Sequence, residues 1–223
     1  MRLRDLFFVT GTIEDAPALV NRRMLRLRIN CPTQTWTPGQ QIRLSVDGLL
    51  TRRTYSIWDG DESGLELRVL DHGDGPGARW ARTARPGQEV VFTKPEGSFT
   101  LRPDAPYHLF VGEETASVPF GPMLRSLDGS PHHAVIEVDA PEDRLPLEDV
   151  HWRYREGAPA ASSPTLLDAV RELDLPAEPG VAYVAGEART VQSVRAHLVN
   201  DRGWPKRAIL TKPFWTPGKK GME

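Results

Sequence analysis

Cysteine is almost missing: Cys31 is the single one in 223 residues. One thiol excludes an intrachain disulfide and a cysteine-rich metal site, and it suits a reducing compartment. Net charge is also scarce, at −2, which removes any global electrostatic case for nucleic acid or an anionic membrane surface. No apolar run nears the roughly 20 residues of a membrane span. The opening stretch is apolar only briefly, too short for the core of a secretion signal. The six histidines lack ligand spacing, and His132-His133 in a Ser-Pro loop read as surface residues rather than metal ligands. No internal repeat is visible, and the dinucleotide fingerprint G-x-G-x-x-G is absent from the second half. These absences predict a soluble cytoplasmic protein, expected to be a monomer, with neither nucleic acid nor membrane as partner.

What is present is enough for a packed core: 39% hydrophobic and 26% charged residues, in a length that allows two domains of about 100 residues each. The first hundred residues read as β-structure. Leu25, Leu27 and Ile29 alternate with Arg26 and Arg28, the period of a half-buried strand. Similar runs fall at Leu6–Ile13, Gln41–Val46, Thr54–Trp58, Leu65–Leu70 and Glu89–Thr93. Turn signals at Pro38-Gly39, Asp59-Gly60, Pro86-Gly87 and Glu96-Gly97 separate them. Six short strands predict a closed antiparallel barrel, with a short helix at Gly77–Thr83.

After Pro103 apolar runs alternate with helical periods. Strands are expected at Tyr107–Val111, Ala134–Val138, Val150–Tyr154, Val181–Ala185 and Ala208–Thr211, and helices at Val118–Leu127, Pro164–Leu173 and Thr190–Val199. Ser163-Pro164 supplies an N-cap and a first-turn proline. Alternation of this kind predicts an α/β domain with a parallel sheet. Residues 140–149 and 156–163 read as exposed loops. The predicted organisation is therefore a β-barrel domain over 1–103 followed by an α/β domain over 104–223, whose cleft would let two cofactors meet.

Two segments carry chemistry. On one candidate strand, Arg53-Thr54-Tyr55-Ser56 offers a guanidinium fork for phosphate, a ring for a planar heterocycle and a hydroxyl for a ring nitrogen or oxygen. About twenty residues on, His72-Gly-Asp-Gly-Pro-Gly-Ala-Arg-Trp80 lets backbone approach a ligand closely, and the helix it opens presents free N–H groups to an anion. Taken alone, the first is better read as an edge strand with a core tyrosine and the second as a plain tight turn; together they shift the balance towards a ligand.

With Gly97-Ser98-Phe99, Gly112-Glu-Glu-Thr-Ala116, Ala185-Gly-Glu-Ala188 and Phe214-Trp215, these motifs follow the order of the siderophore-interacting proteins. The chain resembles that family of FAD-dependent ferric-siderophore reductases, related to the ferredoxin-reductase fold, over about residues 53–218. The resemblance implies an FAD-binding barrel and an NAD(P)H-binding α/β domain. It implies that Arg53 pairs with an FAD phosphate, Tyr55 lies against the isoalloxazine, and Ser56 bonds its N5/O4 edge, with Thr54 and Ser98 in the same set. His72 would line the cofactor from the next strand. Gly75, Gly77 and Ala78 would present N–H groups to the pyrophosphate, and Trp80 would pack the helix. Thr115 would lie near the flavin, and Gly186 and Glu187 would border the nicotinamide nucleotide. Three departures stand out. Ala78 replaces a hydroxyl expected in the phosphate turn, the segment from Gln40 to Arg53 is short, and Ala116-Ser-Val-Pro119 replaces the usual Ala-Leu-Pro.

The nucleotide that the resemblance implies is NADPH or NADH. Glu137 and Asp139, ending a strand, would bind a ribose 2′-hydroxyl, whereas Arg153 and Arg155 would accept a 2′-phosphate, and the balance leans to NADPH or dual use. From Trp204 on, the sequence carries a net +4. Lys212, Lys219 and Lys220 are the candidates for an anionic ferric siderophore, unless this stretch is a solvated tail. The expected enzyme passes hydride to flavin and single electrons to Fe(III) with no catalytic side-chain acid or base. Two rivals are a reductase serving a protein acceptor such as a ferredoxin, flavodoxin or oxygenase, and a non-catalytic siderophore- or flavin-binding module.

Overall fold

The computed structural model describes residues 7–48 and 51–219. Contacts divide the chain after Thr100 into two compact units. In the first, strands β1 (Phe8–Ile13), β2 (Ala18–Leu19), β3 (Met24–Asn30), β4 (Gln41–Asp47), β5 (Thr51–Asp61), β6 (Gly64–Leu70) and β7 (Glu89–Thr93) form one antiparallel sheet. Its order is β1-β7-β4-β5-β6-β3, and β3 pairs back onto β1, so six strands close a barrel. Strand β2 is a two-residue addition on β3. Register sets the core: Leu25, Leu27 and Ile29 face Val69, Leu67 and Leu65 on β6, and all six are buried. Helix α1 (Pro76–Thr83) adds Trp80 and Ala81 to the same apolar cluster.

One turn is displaced from its expected place. Asp59 and Gly60 belong to β5, which bends at a register shift between Ile57 and Asp59 as it exchanges β4 for β6. The chain reverses instead at Glu62-Ser63, where the Asp61 carboxylate accepts from the backbone N–H of Ser63 and Gly64 at 2.8 and 3.1 Å.

The second unit holds β8 (His108–Glu113), α2 (Ser117–Arg125), β9 (His132–Val138), β10 (His151–Tyr154), α3 (Pro164–Arg171), β11 (Val181–Glu187), α4 (Ala188–Asn200) and β12 (Ile209–Trp215). All five strands are parallel, in the order β10-β9-β8-β11-β12. Connections run one way from β8 to β10 and the other from β11 to β12. The order therefore reverses beside β8 and β11, the place where open parallel sheets bind ligands at their C-terminal ends. Ser163 caps α3 as expected, its hydroxyl accepting from Leu166 N–H at 3.3 Å.

Two expectations need correction and one needs refining. His132 and His133 are half-buried and open β9 rather than lying in a loop. The loops over 140–149 and 156–163 are largely exposed as expected, but each turns two side chains inward, Asp143 with Leu145 and Ala160 with Ser163. Strand β12 continues to Trp215, so Lys212 and Phe214 lie on a sheet edge and not in a loose tail. Among the described residues no helix is long and apolar enough to cross a membrane.

Candidate functional site

Strand β5 sets the first half of the site. Antiparallel register places Arg53 and Tyr55 opposite Leu44 and Ile42, both fully buried, so the pair shares the core-facing side; Thr54 and Ser56 lie opposite Arg43 and Gln41. The Tyr55 ring packs on Trp80 of α1, with centroids 5.8 Å apart. Its hydroxyl is buried without a hydrogen-bond partner, and burial pushes its pKa well above the ordinary phenol range.

That hydroxyl points at the start of α1. A Cβ on Gly77 would stand 2.7 Å from the Tyr55 oxygen and 3.3 Å from Cγ of Arg53, so glycine is what lets helix and strand approach here. Gly75 occupies the N-cap position, Pro76 follows it, and no side chain caps the helix. The first-turn N–H groups are therefore available to an anion. Helix terminus, guanidinium and orphaned hydroxyl make a phosphate-type cradle. Arg82, in the last turn of α1, reaches back to hold the glycine-rich loop through Asp71 (2.7 Å), the Gly73 carbonyl (3.2 Å) and Asp74 (3.0 Å).

A second orphan lies on the Ser56 side. Gln41 is nine-tenths buried, and its Oε1 has no partner. It sits under Gly97, whose φ of +107° turns the chain towards exposed Ser98. Polar groups buried without partners are rare in folded proteins. Two of them, Tyr55 on the strand expected to hold FAD and Gln41 paired with Ser56 of that strand, fit a bound group that is rich in donors and acceptors.

In the second unit the C-terminal ends of β8 and β11 bring together Glu113, Thr115, Gly186 and Glu187. Gly186 has φ +121°, and a Cβ there would stand 2.7 Å from Glu113 Oε1. Glu113 is pushed up to about 8, by burial first and by neighbouring Glu114 second. Donors from Thr115 and Trp215 pull the other way. Glu187 is buried too, but the Thr190, Arg189 and Ser162 amides and the Thr216 hydroxyl outweigh burial and hold it below the usual carboxylate range. It is the N-cap of α4, which occupies that helix terminus with a carboxylate. Arg155 is buried and bidentate to Glu114 (2.5 and 2.7 Å), with Glu137 at 3.4 Å.

Residues 24–99 match the family model of the siderophore-interacting FAD-binding domain, and residues 105–218 that of the siderophore-interacting protein. The chain belongs to the siderophore-interacting protein family. Ferric vibriobactin reductase ViuB of Vibrio cholerae is 28% identical over 178 residues, 75% of this chain and 65% of that protein. The chain thus spans just under two thirds of that relative's length. The mycobactin import ATP-binding/permease protein IrtA of Mycolicibacterium smegmatis is 31% identical over 164 residues, 68% of this chain and 18% of that protein. A siderophore utilization protein from T. fusca superposes with a TM-score of 0.83 at 20% identity, covering 97% of this chain and 95% of that one. Phthalate dioxygenase reductase superposes at 0.75 with 19% identity, covering 95% and 70%. The fold is ferredoxin-reductase-like, a closed antiparallel barrel followed by a parallel-sheet unit.

Within this family fold the expected residues group unevenly. Arg53, Tyr55, Gly77 and Trp80 meet at one spot, with Gly75 and Ala78 on the same helix start. His72 lies two residues past the end of β6, exposed in the loop, and not on a strand. Arg155 is spent on Glu114 and Glu137, and Glu137 also accepts from Ser163, so neither is presented to a nucleotide. Lys212 pairs in register with Ala185 on β11, Lys219 is exposed beyond β12, and Lys220 lies outside the described residues. Sequence reasoning missed Arg82, Gln41 and Glu113. Only Glu113 left a signal: an acid ending an otherwise apolar strand.

Proposed function

We propose that this protein is an FAD-dependent reductase that moves electrons from NADPH or NADH to a ferric siderophore, acting in the cytoplasm as a monomer. The observation that carries the reading is the orphaned Tyr55 hydroxyl beside Arg53 and the uncapped start of α1, in a chain of the siderophore-interacting family. The barrel unit takes FAD: Arg53 and the N–H groups of Gly77 and Ala78 bind its diphosphate, and Tyr55, expected against the isoalloxazine, turns its unpartnered hydroxyl to the diphosphate instead. Ser56, with Thr54, Ser98 and Gln41 beside it, faces the polar edge of the flavin ring, and His72 stands at the rim of the phosphate loop.

The second unit takes the nucleotide at the ends of β8 and β11, where Thr115, Gly186 and Glu187 define the crevice. Glu137 and Arg155 are committed internally; Arg153 and Asp139, which also accepts from the Gly157 N–H at 2.7 Å, distinguish a 2′-phosphate from a 2′-hydroxyl. Lys212 and Lys219 offer charge to an anionic siderophore.

Accepting hydride and releasing single electrons is the chemistry that bound FAD supplies. The overall balance is one NAD(P)H and two Fe(III) giving NAD(P)⁺, one proton and two Fe(II). Hard oxygen ligands hold the reduced ion less tightly, so iron is released. The residues' part is to bind, orient and keep charge matched; no side chain need act as acid or base. The visible spectrum of the purified protein, before and after each nucleotide, tests the reading. Flavin bands that bleach on addition of NADPH or NADH support it, and a colourless protein that takes up no FAD rejects it.

A further inference from the structure

Three elements of the second unit are fastened to one side chain. Glu113 is fully buried at the end of β8. Its Oε1 accepts from the Trp215 indole N–H at 3.1 Å and from the Thr115 hydroxyl, and its Oε2 accepts from the Thr115 backbone N–H at 3.0 Å. Gly186, at the end of β11, presses against the same carboxylate, too close for any larger residue. One residue further, Glu187 Oε1 accepts from the Thr216 hydroxyl at 3.1 Å. The chain leaving β12 is therefore held at two successive positions, each by a buried carboxylate.

An ionisable group is an expensive way to hold a tryptophan, since burial penalises its charged form. Among the described residues no cation is bonded to it: Arg155 feels its charge but gives its hydrogen bonds to Glu114 and Glu137. The charged groups around Glu113 are Glu114 beside it, Glu137 on β9, Arg155 after β10 and Glu187 at the end of β11. Such costs collect where function needs them.

We propose that Glu113 is a positioning residue for the reduced nicotinamide, fixing the Trp215 ring and the Thr115 backbone as the surface on which the nicotinamide ring is received. The proposal rests on the reading that the crevice at the ends of β8 and β11 takes the nucleotide. Two consequences follow from the geometry. Loss of the carboxylate loosens reception of the nucleotide while the later electron steps are untouched. The fastening also changes with pH, because the charge of Glu113 decides how strongly the indole is gripped.

Indole-¹⁵N-labelled full-length protein, with Trp215→Phe to assign the resonance, reads the fastening by NMR without any nucleotide. The Trp215 N–H signal should move as the pH passes through about 8 and be displaced and pH-insensitive in Glu113→Gln. With FAD bound, Glu113→Gln and Trp215→Phe should each raise KM for NADPH or NADH about tenfold, with kcat within about twofold. A Trp215 signal identical in wild type and Glu113→Gln overturns the proposal, as does an unchanged KM in both variants. If Glu113→Gln fails to fold, Trp215→Phe carries the KM test alone. Wild-type protein that binds FAD but is reduced by neither nucleotide overturns the nucleotide reading and this role with it. That outcome is distinct from normal reduction in every variant, which removes the role alone.

Discussion

Tyr55 and Gly77 occupy neighbouring space, and their substitutions should separate stability from ligand binding. Tyr55→Phe removes a hydroxyl that has no partner in the protein, so thermal melting of the FAD-free form should be unchanged or slightly raised. FAD affinity, followed by fluorescence titration, should fall about tenfold, the loss expected for one hydrogen bond to a charged acceptor. The opposite pattern, lost stability with intact affinity, would make the hydroxyl a core group. Gly77→Ala should harm both, since its methyl meets the Tyr55 oxygen at 2.7 Å; overpacking of this kind costs about 1–3 kcal/mol. At this scale the sequence was informative where chemistry and spacing coincided, as with Arg53, Tyr55 and the glycine-rich turn. It was silent where a residue acts across the fold. Arg82 looked like an ordinary helix residue, and nothing local showed that it would grip Asp71, Gly73 and Asp74.

The elements were legible mainly through period. Leu25, Leu27 and Ile29 fixed β3, and Ser163-Pro164 fixed the start of α3, because alternation and capping are local properties. The bend in β5 was hidden, since Asp59-Gly60 resembles a turn and only pairing with β6 makes it strand. The commitment of Arg155 was hidden for a similar reason: Glu114 lies just past β8 and Glu137 on β9, both distant in sequence. Ser163 does two jobs, capping α3 and donating to buried Glu137. Ser163→Ala should therefore lower stability by roughly 1–3 kcal/mol in denaturant titration. The crevice carboxylates predict opposing pH effects. Glu113 and Glu137 are both raised by burial, so their contribution is complete below the ordinary carboxylate range and is lost as pH rises, for Glu113 up to about 8. Glu187 is lowered, so its contribution is present above that range and is lost in acid. Urea midpoints should fall from mildly acidic pH towards about pH 8, and Glu113→Gln should flatten that limb. An equally steep limb in the variant would contradict the assignment.

At the scale of the whole molecule, each unit has its own apolar cluster and its own polar site. The barrel closes on a phosphate-type cradle, and the parallel sheet reverses strand order beside a carboxylate-rich crevice. The proposed function joins these under one activity, with Lys212 and Lys219 offered to the acceptor. Anaerobic stopped-flow tests the central claim most directly: the FAD-loaded protein is reduced with NADPH or NADH and then mixed with a ferric siderophore. The account predicts bleaching of the flavin by nucleotide, then rapid return of its colour as Fe(II) appears. A flavin reoxidised by the ferric siderophore no faster than by air-saturated buffer would contradict it.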